Sequence, residues 1–310
     1  MTRPTLAPSF LAGASYLLGE LDDDYTSIAD LADKAAKFKL PVKPALWGWG
    51  RVRRTERPLE ELAIDSGCAT LQAAGVAPGS IDALVLCSTS IVGPADDHGR
   101  FFERVLSGIG LADIAFYGLT LNRCTNLLAG IDLASALVAA GRYQRVLVIT
   151  TDLVLDEADR MASYALFSDG AASCLVSAEP ATDGYQLLAA ANAQQASSLH
   201  WTKEISSDLS RQVNQRLLDP FGLELSEVCG LMHLNIFTPL LVMKERQAGF
   251  ASEQLFTANI ERSGHCFAAD PLINLVDQAA AGEVHPGHHY LLAASVPGSR
   301  FGILLRKLDR

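Results

Sequence analysis

Hydrophobic residues along this chain recur in two alternating patterns. Four continuous apolar runs end in small polar residues, as buried parallel strands do, and they cover residues 81–90, 145–152, 228–235 and 289–296. Between these runs, apolar residues recur three or four positions apart, which is typical of amphipathic helices. The alternation predicts an α/β fold.

One junction between the two patterns carries a cysteine. Residues 115–122 are predicted to form a short strand, and Cys124 follows. Beyond it, apolar residues return at the spacing of one helix face, at Leu127, Leu128, Ile131, Ala134, Leu137 and Val138. Cys124 is therefore predicted to lie at the start of a helix, where unpaired backbone N–H groups and the helix dipole stabilise a thiolate.

The second half of the chain repeats the order of the first. A helix end, a glycine, a polar turn and a buried strand follow one another in two pairs of segments, 71–90 with 217–236 and 137–151 with 277–295. We therefore predict a duplicated fold. Punctuation by Pro180 and Gly184 places the halves at 1–178, with the cysteine, and 179–310, with the candidate histidines.

Two further segments complete the prediction for the second half. The polar stretch 193–215 has little apolar periodicity and is interpreted as a surface excursion, although its residues favour a helix. Residues 255–260 are predicted to form a strand, and a helix is predicted near 271–281.

Composition excludes several classes of protein. Hydrophobic residues make up 49% of the 310 residues, which is enough for a large core. The formal charge of −10 argues against a general nucleic-acid binder. Six scattered cysteines show no zinc-ligand spacing and no disulfide framework. With no convincing signal peptide and no stretch of about 18 apolar residues, we expect a cytoplasmic protein with reduced thiols and no membrane span.

Two histidines occupy positions comparable to that of Cys124. His233 lies at the end of one strand-like run, and His265 lies between a predicted strand and a predicted helix. Each residue alone is compatible with ordinary packing in a core. Together, a thiol and two imidazoles at strand ends form a set for nucleophilic catalysis, because an imidazole can activate the thiol or donate to a thioester oxygen.

The chain resembles the β-ketoacyl-ACP synthase III-like enzymes of the thiolase superfamily. Besides the Cys124 region, their FGDGAGAAVL segment is similar to ALFSDGAASCLV here, and their NxxxxGNTSAAS segment is similar to NIERSGHCFAAD. Their histidine motif is similar to HLNIFTPLLVMKERQAGF, and their early helix and strand and closing hairpin are similar to residues 50–90 and 282–305. The resemblance implies a duplicated five-layer αβαβα fold with mixed sheets, and a homodimer.

The resemblance also implies roles for individual residues. Cys124 would accept the acyl group, and His233 would be the first catalytic histidine. The family's asparagine is replaced by His265, which gives the Cys-His-His set of elongating condensing enzymes. A proline, Pro297, stands at the family's oxyanion-donor glycine and has no N–H, so either Gly298 or Ser299 would supply the donor or the oxyanion hole would be weakened.

Several basic and aromatic residues are weaker candidates for contact with a CoA nucleotide or an acyl carrier. By resemblance, Trp47, Arg51 and Arg53 would lie at the mouth of the site, although a solvated basic turn explains them as well. Lys244 and Arg246 follow the histidine motif, where the family docks its acidic carrier.

The leading functional hypothesis is acyl transfer from acyl-CoA or an acyl carrier protein to Cys124, followed by condensation with a malonyl-type thioester. Departures at 265 and 297 indicate a specialised, polyketide-type pathway. One alternative is transfer of the acyl group to an alcohol or amine, and another is a non-catalytic partner subunit. No metal and no cofactor are implied.

Overall fold

The computed structural model describes residues 7–309, apart from 92–93, 112 and 201–205. Nine strands form one sheet in the order β5-β4-β6-β7-β1-β8-β11-β10-β9. Their bounds are β1 Ser9–Leu18, β4 Ala83–Cys87, β5 Ala115–Leu119, β6 Arg145–Asp152, β7 Gly170–Ser177, β8 Tyr185–Gln194, β9 Val228–Met232, β10 His289–Val296 and β11 Ser299–Lys307. The short strands β2 (Leu21–Asp24) and β3 (Arg51–Arg54) pair separately.

The described helices connect and cover these strands. They are α1 Leu31–Lys37, α2 Pro44–Trp47, α3 Leu59–Ala74, α4 Ala95–Ile109, α5 Asn126–Ala139, α6 Ser207–Leu218, α7 Thr238–Gln247, α8 Ala258–Ser263 and α9 Asp270–Ala280. Within the described residues, no helix is both long enough and apolar enough to span a membrane.

The two parts of the large sheet repeat one pairing pattern. In the first, β4 and β6 are parallel, and β6–β7 and β7–β1 are antiparallel. In the second, β9 and β10 are parallel, and β10–β11 and β11–β8 are antiparallel. A short antiparallel pairing of β1 with β8 joins them. The predicted duplication is therefore present in the strand order.

Alternating side chains along the strands separate the layers, because successive residues of a strand point to opposite faces. Val85 and Val148 pack with Leu128 of α5 in a central core that also holds Leu272 of α9. Leu84 of β4 packs on the other face of the sheet, in a core shared with α3 and α4. Helix α6 covers the outer face of β8, β10 and β11. The outer helices, the two parts of the mixed sheet and the central helices α5 and α9 thus confirm the predicted αβαβα arrangement, with the strands of both halves in one continuous sheet.

Two local predictions for the second half are wrong. Residues 255–260 do not form a strand: Leu255 makes a single bridge with Leu231, and helix α8 begins at Ala258. The described part of 193–215 is also more than a surface excursion, because Leu209, Val213 and Leu217 of α6 pack on the sheet. Their spacing of four residues is the signal that was missed. The boundary at 178/179 stays a prediction.

Candidate active site

Cys124 lies in a tight turn that leads directly into α5. A single 3₁₀ turn, Arg123–Thr125, separates β5 from the helix, and Thr125 Oγ1 donates to the Asn122 carbonyl. Arg123 adopts a left-handed φ of 55°, which is unfavourable for a residue with a side chain and is often found at functional sites. The predicted position of Cys124 at a helix start is observed, and the thiol is partly exposed.

His265 is buried and held by a carboxylate. Its Nδ1 lies 2.5 Å from Oδ2 of Asp270, the first residue of α9. Asp270 also accepts hydrogen bonds from the backbone N–H groups of Cys266 and Asn235 and from the Asn235 side chain. These bonds fix the imidazole ring in one orientation.

The electrostatic surroundings of His265 favour its charged form. Burial lowers its pKa, but the negative charge and hydrogen bond of Asp270, together with its interaction with Cys124, outweigh burial and raise the pKa to about 10. Its Nε2 is buried and has no hydrogen-bond partner among the described residues. The ring therefore offers an Nε2 proton on the side of Cys124.

His233 is also buried, but both of its ring nitrogens are engaged. Nδ1 lies 3.2 Å from the Leu234 carbonyl, so it carries the proton that is donated to that oxygen. Nε2 then accepts from Nζ of Lys244 at 3.1 Å. Burial and the nearby charges of Lys244 and Arg300 hold the pKa of His233 well below its ordinary value, so the ring is neutral.

A buried ionic cluster lies behind His233. Arg300 donates to both carboxylate oxygens of Glu245, at 2.7 and 3.2 Å, and Lys244 Nζ lies 3.0 Å from Oε1. Burial lowers the pKa of Lys244 to about 8, against the opposing attraction of Glu245. Burial favours the neutral form of Glu245, but Arg300 and Lys244 overcome it and hold its pKa far below the usual range.

Cys124 and His265 line the same cavity, which has a volume of about 250 Å³. Lys244, Ser295 and Arg300 also line it, whereas His233 lies behind Lys244. The walls carry apolar side chains suited to an acyl chain, namely Phe38, Tyr164, Leu209, Leu234, Ile236, Leu240 and Val296.

The hairpin between β10 and β11 closes one side of the cavity. Val296 pairs with Ser299, so Pro297 and Gly298 form the two-residue loop, and Gly298 has a φ of 68°. Pro297, Gly298 and Ser299 line the cavity. Arg123 donates through Nη2 to the Pro297 carbonyl at 2.7 Å. This bond connects the hairpin to the turn that carries Cys124.

The other predicted contact residues lie elsewhere. Trp47 packs on Phe237, while Arg51 and Arg53 form ion pairs with Asp22. None of the three lines the cavity around Cys124, and a role in binding CoA or a carrier stays a prediction.

The contact with an acyl carrier that was predicted for Lys244 is wrong, whereas the one predicted for Arg246 stays a prediction. The Lys244 residue is 2% exposed, so it cannot contact a carrier protein docked on the surface of α7. Two positions further along the helix, Arg246 is exposed and stays a candidate for that contact.

Four residues of the site were missed by the sequence analysis. Asp270 lies five positions after His265 at the start of the predicted helix, and a search for an orienting acid could have found it. Glu245, Ser295 and Arg300 reach the site through tertiary packing alone, and no local pattern marks them.

Comparisons with known proteins show similarity to one kind of enzyme. The model of the family described as 3-oxoacyl-[acyl-carrier-protein (ACP)] synthase III matches residues 120–195, which include Cys124. The β-ketoacyl-[acyl-carrier-protein] synthase III of Microcystis aeruginosa is 33% identical over 42% of this chain and 39% of its own length. The chain therefore matches less than half the length of this curated relative.

Solved structures of similar proteins cover nearly the whole chain. The 3-oxoacyl-(acyl carrier protein) synthase III, FabH, of Pseudomonas aeruginosa PAO1 superposes with a TM-score of 0.80 at 21% identity, over 98% of this chain and 99% of its own. A structure named "ChlB3 [Aceyltransferase]" gives a TM-score of 0.81 at 17% identity, over 97% and 98%. The chain is thus similar to 3-oxoacyl-[acyl-carrier-protein] synthase III in the region around Cys124, and over nearly its whole length it has the fold of these solved structures.

Proposed function

We propose that this protein is an acyltransferase that loads an acyl group onto Cys124 and condenses it with a malonyl-type thioester. The acyl donor is acyl-CoA or an acyl carrier protein. The observation that carries the proposal is the placement of Cys124 at the start of α5, with the buried, otherwise unpartnered Nε2 of His265 lining the same apolar-walled cavity.

In the first step, the Cys124 sulfur attacks the thioester carbonyl of the donor. A new C–S bond forms, the bond to the donor sulfur breaks, and the proton lost by the Cys124 thiol passes to the donor sulfur, so the donor leaves as a thiol. The imidazolium of His265 supplies a positive charge beside the reacting sulfur. The carbonyl oxygen becomes negative during the attack and needs backbone N–H donors, for which Gly298 and Ser299 are the candidates because Pro297 has no N–H.

In the second step, a malonyl-type thioester enters the cavity and loses carbon dioxide. The electron pair of the broken C–C bond forms an enolate, whose carbon attacks the acyl carbonyl on Cys124 and expels the thiolate. His265 donates its Nε2 proton in a hydrogen bond to the enolate oxygen. A buried donor at this position stabilises the charge as it develops.

One observation favours the alternative, transfer of the acyl group to an alcohol or amine. Cys124, His265 and Asp270 form a series of nucleophile, imidazole and orienting carboxylate, which is the arrangement of general-base acyl transfer. In that reaction His265, once deprotonated, would accept the proton of the incoming nucleophile. Condensation predicts release of carbon dioxide, and acyl transfer to oxygen or nitrogen does not.

We infer a homodimer, and a polyketide-type specialised pathway because histidine and proline replace the usual residues at 265 and 297. All six cysteines are free in the structure, which is in keeping with a reducing cytoplasm. Gly298 and Ser299, and the surface contacts of Trp47, Arg51, Arg53 and Arg246, are proposed roles of the same kind.

The experiment is acyl loading followed by a malonyl chase. Wild type is incubated with a panel of acyl-CoA thioesters, and its intact mass and peptide map are measured. We expect one acyl group on Cys124, none in Cys124→Ala, and full loading in Cys68→Ala, whose thiol is exposed on α3. Label on Cys87 or Cys266 would contradict the assignment, and no label at all would indicate a non-catalytic subunit.

The chase separates the two acceptor chemistries. Acylated wild type is mixed with malonyl thioester carrying a labelled free carboxylate, and labelled carbon dioxide is counted. Release confirms condensation. If no acyl primer gives release while Cys124 is fully loaded, condensation is wrong and transfer to an alcohol or amine is the remaining function.

A further inference from the structure

One wall of the cavity around Cys124 carries a positive charge that no anion among the described residues compensates. Lys244 and Arg300 are cations, and Glu245 is the one anion that pairs with both in the described part of the chain. The side chains of all three residues are at most 3% exposed. Removing an unpaired charge from water is costly, so a surplus cation on a cavity wall indicates a place for a negatively charged group of a ligand.

His233 cannot serve that negative group in the conformation observed. Its Nδ1 proton is donated to the Leu234 carbonyl, and its Nε2 accepts from Lys244. The ring therefore has no proton to offer a substrate. Lys244, and not His233, lines the cavity at this point.

Ser295 is the group through which this charge reaches the cavity. Its hydroxyl oxygen accepts from Lys244 Nζ at 2.7 Å and from Arg300 Nη1 at 3.0 Å. Both lone pairs of the oxygen are then in use, so its own proton is free to be donated. The remaining neighbour, His233 Nε2, is 3.4 Å away and already accepts from Lys244.

A second observation points to a ligand at the same place. Nε of Arg300 is buried and has no hydrogen-bond partner among the described residues, although Arg300 lines the cavity. Buried donors of this kind are satisfied in most proteins. Arg300, which lines the cavity, therefore has a donor that no described residue satisfies.

We propose that the Ser295 hydroxyl, with Lys244 and Arg300 behind it, binds the thioester oxygen of the malonyl-type acceptor and stabilises the enolate. This inference rests on the proposed condensation. The C–C bond to the carboxylate breaks, carbon dioxide leaves, and the electron pair places negative charge on the thioester oxygen. Ser295 donates its proton to that oxygen in a hydrogen bond without transferring it. Lys244 acts through Ser295 and is a positioning residue.

The first test compares Ser295→Ala and Lys244→Met with wild type. In both variants we expect acylation of Cys124 at the wild-type extent. The kcat for carbon dioxide release should fall about 10²–10³-fold, as for loss of an oxyanion donor, with KM for malonyl thioester unchanged. The double variant should fall little further, since the two residues act as one unit. The matched control is Lys307→Met, which removes a buried lysine that pairs with Asp183 away from the cavity.

The pH profile of wild type gives a readout that a structural role would not produce. The groups facing Lys244 are Glu245 beside it on α7, His233 after β9, Ser295 on β10 and Arg300 on β11. Lys244 is charged below a pKa of about 8, so decarboxylation should decline above that pH. Lys244→Met should show no such decline, while Ser295→Ala tests the proposal if Lys244→Met does not fold.

The outcomes separate this inference from the proposed function. Wild-type release of carbon dioxide with unchanged rates in both variants would overturn the role of Ser295 and Lys244 and leave condensation standing. A raised KM with unchanged kcat would place the cation at the acceptor's carboxylate and would also overturn it. Full loading of Cys124 without release in wild type would overturn condensation itself, and this inference with it.

Discussion

At the scale of single residues, His265 differs chemically from the asparagine at the corresponding position of the synthase III-like enzymes that the chain resembles. An amide is a neutral donor, whereas His265 is held in its charged form by Asp270 and interacts with Cys124. One residue thus combines a hydrogen-bond donor, a positive charge and a potential proton acceptor. Substitutions at 265 and 270 separate these three properties.

Replacement of His265 by asparagine or alanine distinguishes a donor from a base. In a condensing enzyme, His265→Asn keeps an N–H donor and should retain substantial carbon dioxide release, while His265→Ala should lose on the order of 10²–10³ in rate. Cys124 should still be acylated in both, since its turn and helix remain. If both variants lose all transfer equally, His265 acts as a base, because asparagine accepts no proton near neutral pH.

Removal of the Asp270 charge should change the protonation of His265. Without the carboxylate, burial is opposed only by the interaction with Cys124, so in Asp270→Asn the pKa of His265 should fall from about 10 toward its ordinary 6.5. Nuclear magnetic resonance of ¹⁵N-labelled imidazoles at pH 7.5 should show a protonated ring in wild type and a neutral ring in the variant. A ring that stays protonated in the variant would contradict this assignment.

The same substitution should also lower stability. Asp270 accepts four hydrogen bonds in a fully buried site. The asparagine side chain has one acceptor oxygen and an NH2 group that only donates, so it cannot accept all four. We expect a loss on the order of 2 kcal/mol in the free energy of unfolding, measured by urea denaturation. An exposed Asp208→Asn variant on α6 serves as the control.

At the scale of elements, the β10–β11 hairpin forms the cavity wall only because its loop can approach its neighbours closely. A Cβ on Gly298 would lie 2.6 Å from the Leu199 nitrogen and 2.8 Å from the Gln195 oxygen. The Gly298 carbonyl also accepts from the Gln195 N–H. A glycine is therefore required here for space as well as for its positive φ.

Gly298→Ala should therefore impair both stability and loading. The left-handed φ alone costs about 1–2 kcal/mol for a residue with a Cβ, and the contacts add to this by displacing the hairpin from the cavity. Gly282→Ala is the matched control, because Gly282 has a φ of 77° and no atom within 4 Å of its Cβ. Both should lose stability in urea denaturation, but only Gly298→Ala should load acyl groups more slowly.

At the scale of the whole molecule, one edge of the large sheet is suited to pairing. Strand β5 ends the strand order, and every second residue along it is exposed. Phe116 on this strand is 52% exposed and packs on Phe102 of α4, with ring centroids 4.5 Å apart. Uncovered edge strands with apolar side chains favour association with another chain.

We therefore expect a homodimer that uses this edge. Light scattering at micromolar concentration should give twice the chain mass of 33.1 kDa. Phe116→Glu should weaken the dimer, whereas Phe221→Glu, which replaces another exposed phenylalanine after α6, should not. A monomer mass for wild type would contradict the expectation.

The sequence by itself determined those features that depend on neighbours along the chain. Two predicted strands, 145–152 and 289–296, have the observed bounds, and Cys124 stands at a helix start as predicted. Apolar periodicity and strand ends are local signals, and their repetition in the second half of the chain predicted the duplicated fold. The strand predicted at 255–260 failed because a short run of mixed residues carries no such signal.

Tertiary structure alone decided what surrounds the histidines. From the sequence of its helix, Lys244 is expected to be exposed, as lysines usually are. Packing instead buries it against His233, 11 positions away, and against Ser295 of a distant strand. Asp270 reaches both His265 and Asn235 for the same reason. Burial and charge pairing set the proton positions in this site, and both depend on residues brought together from separate strands and helices.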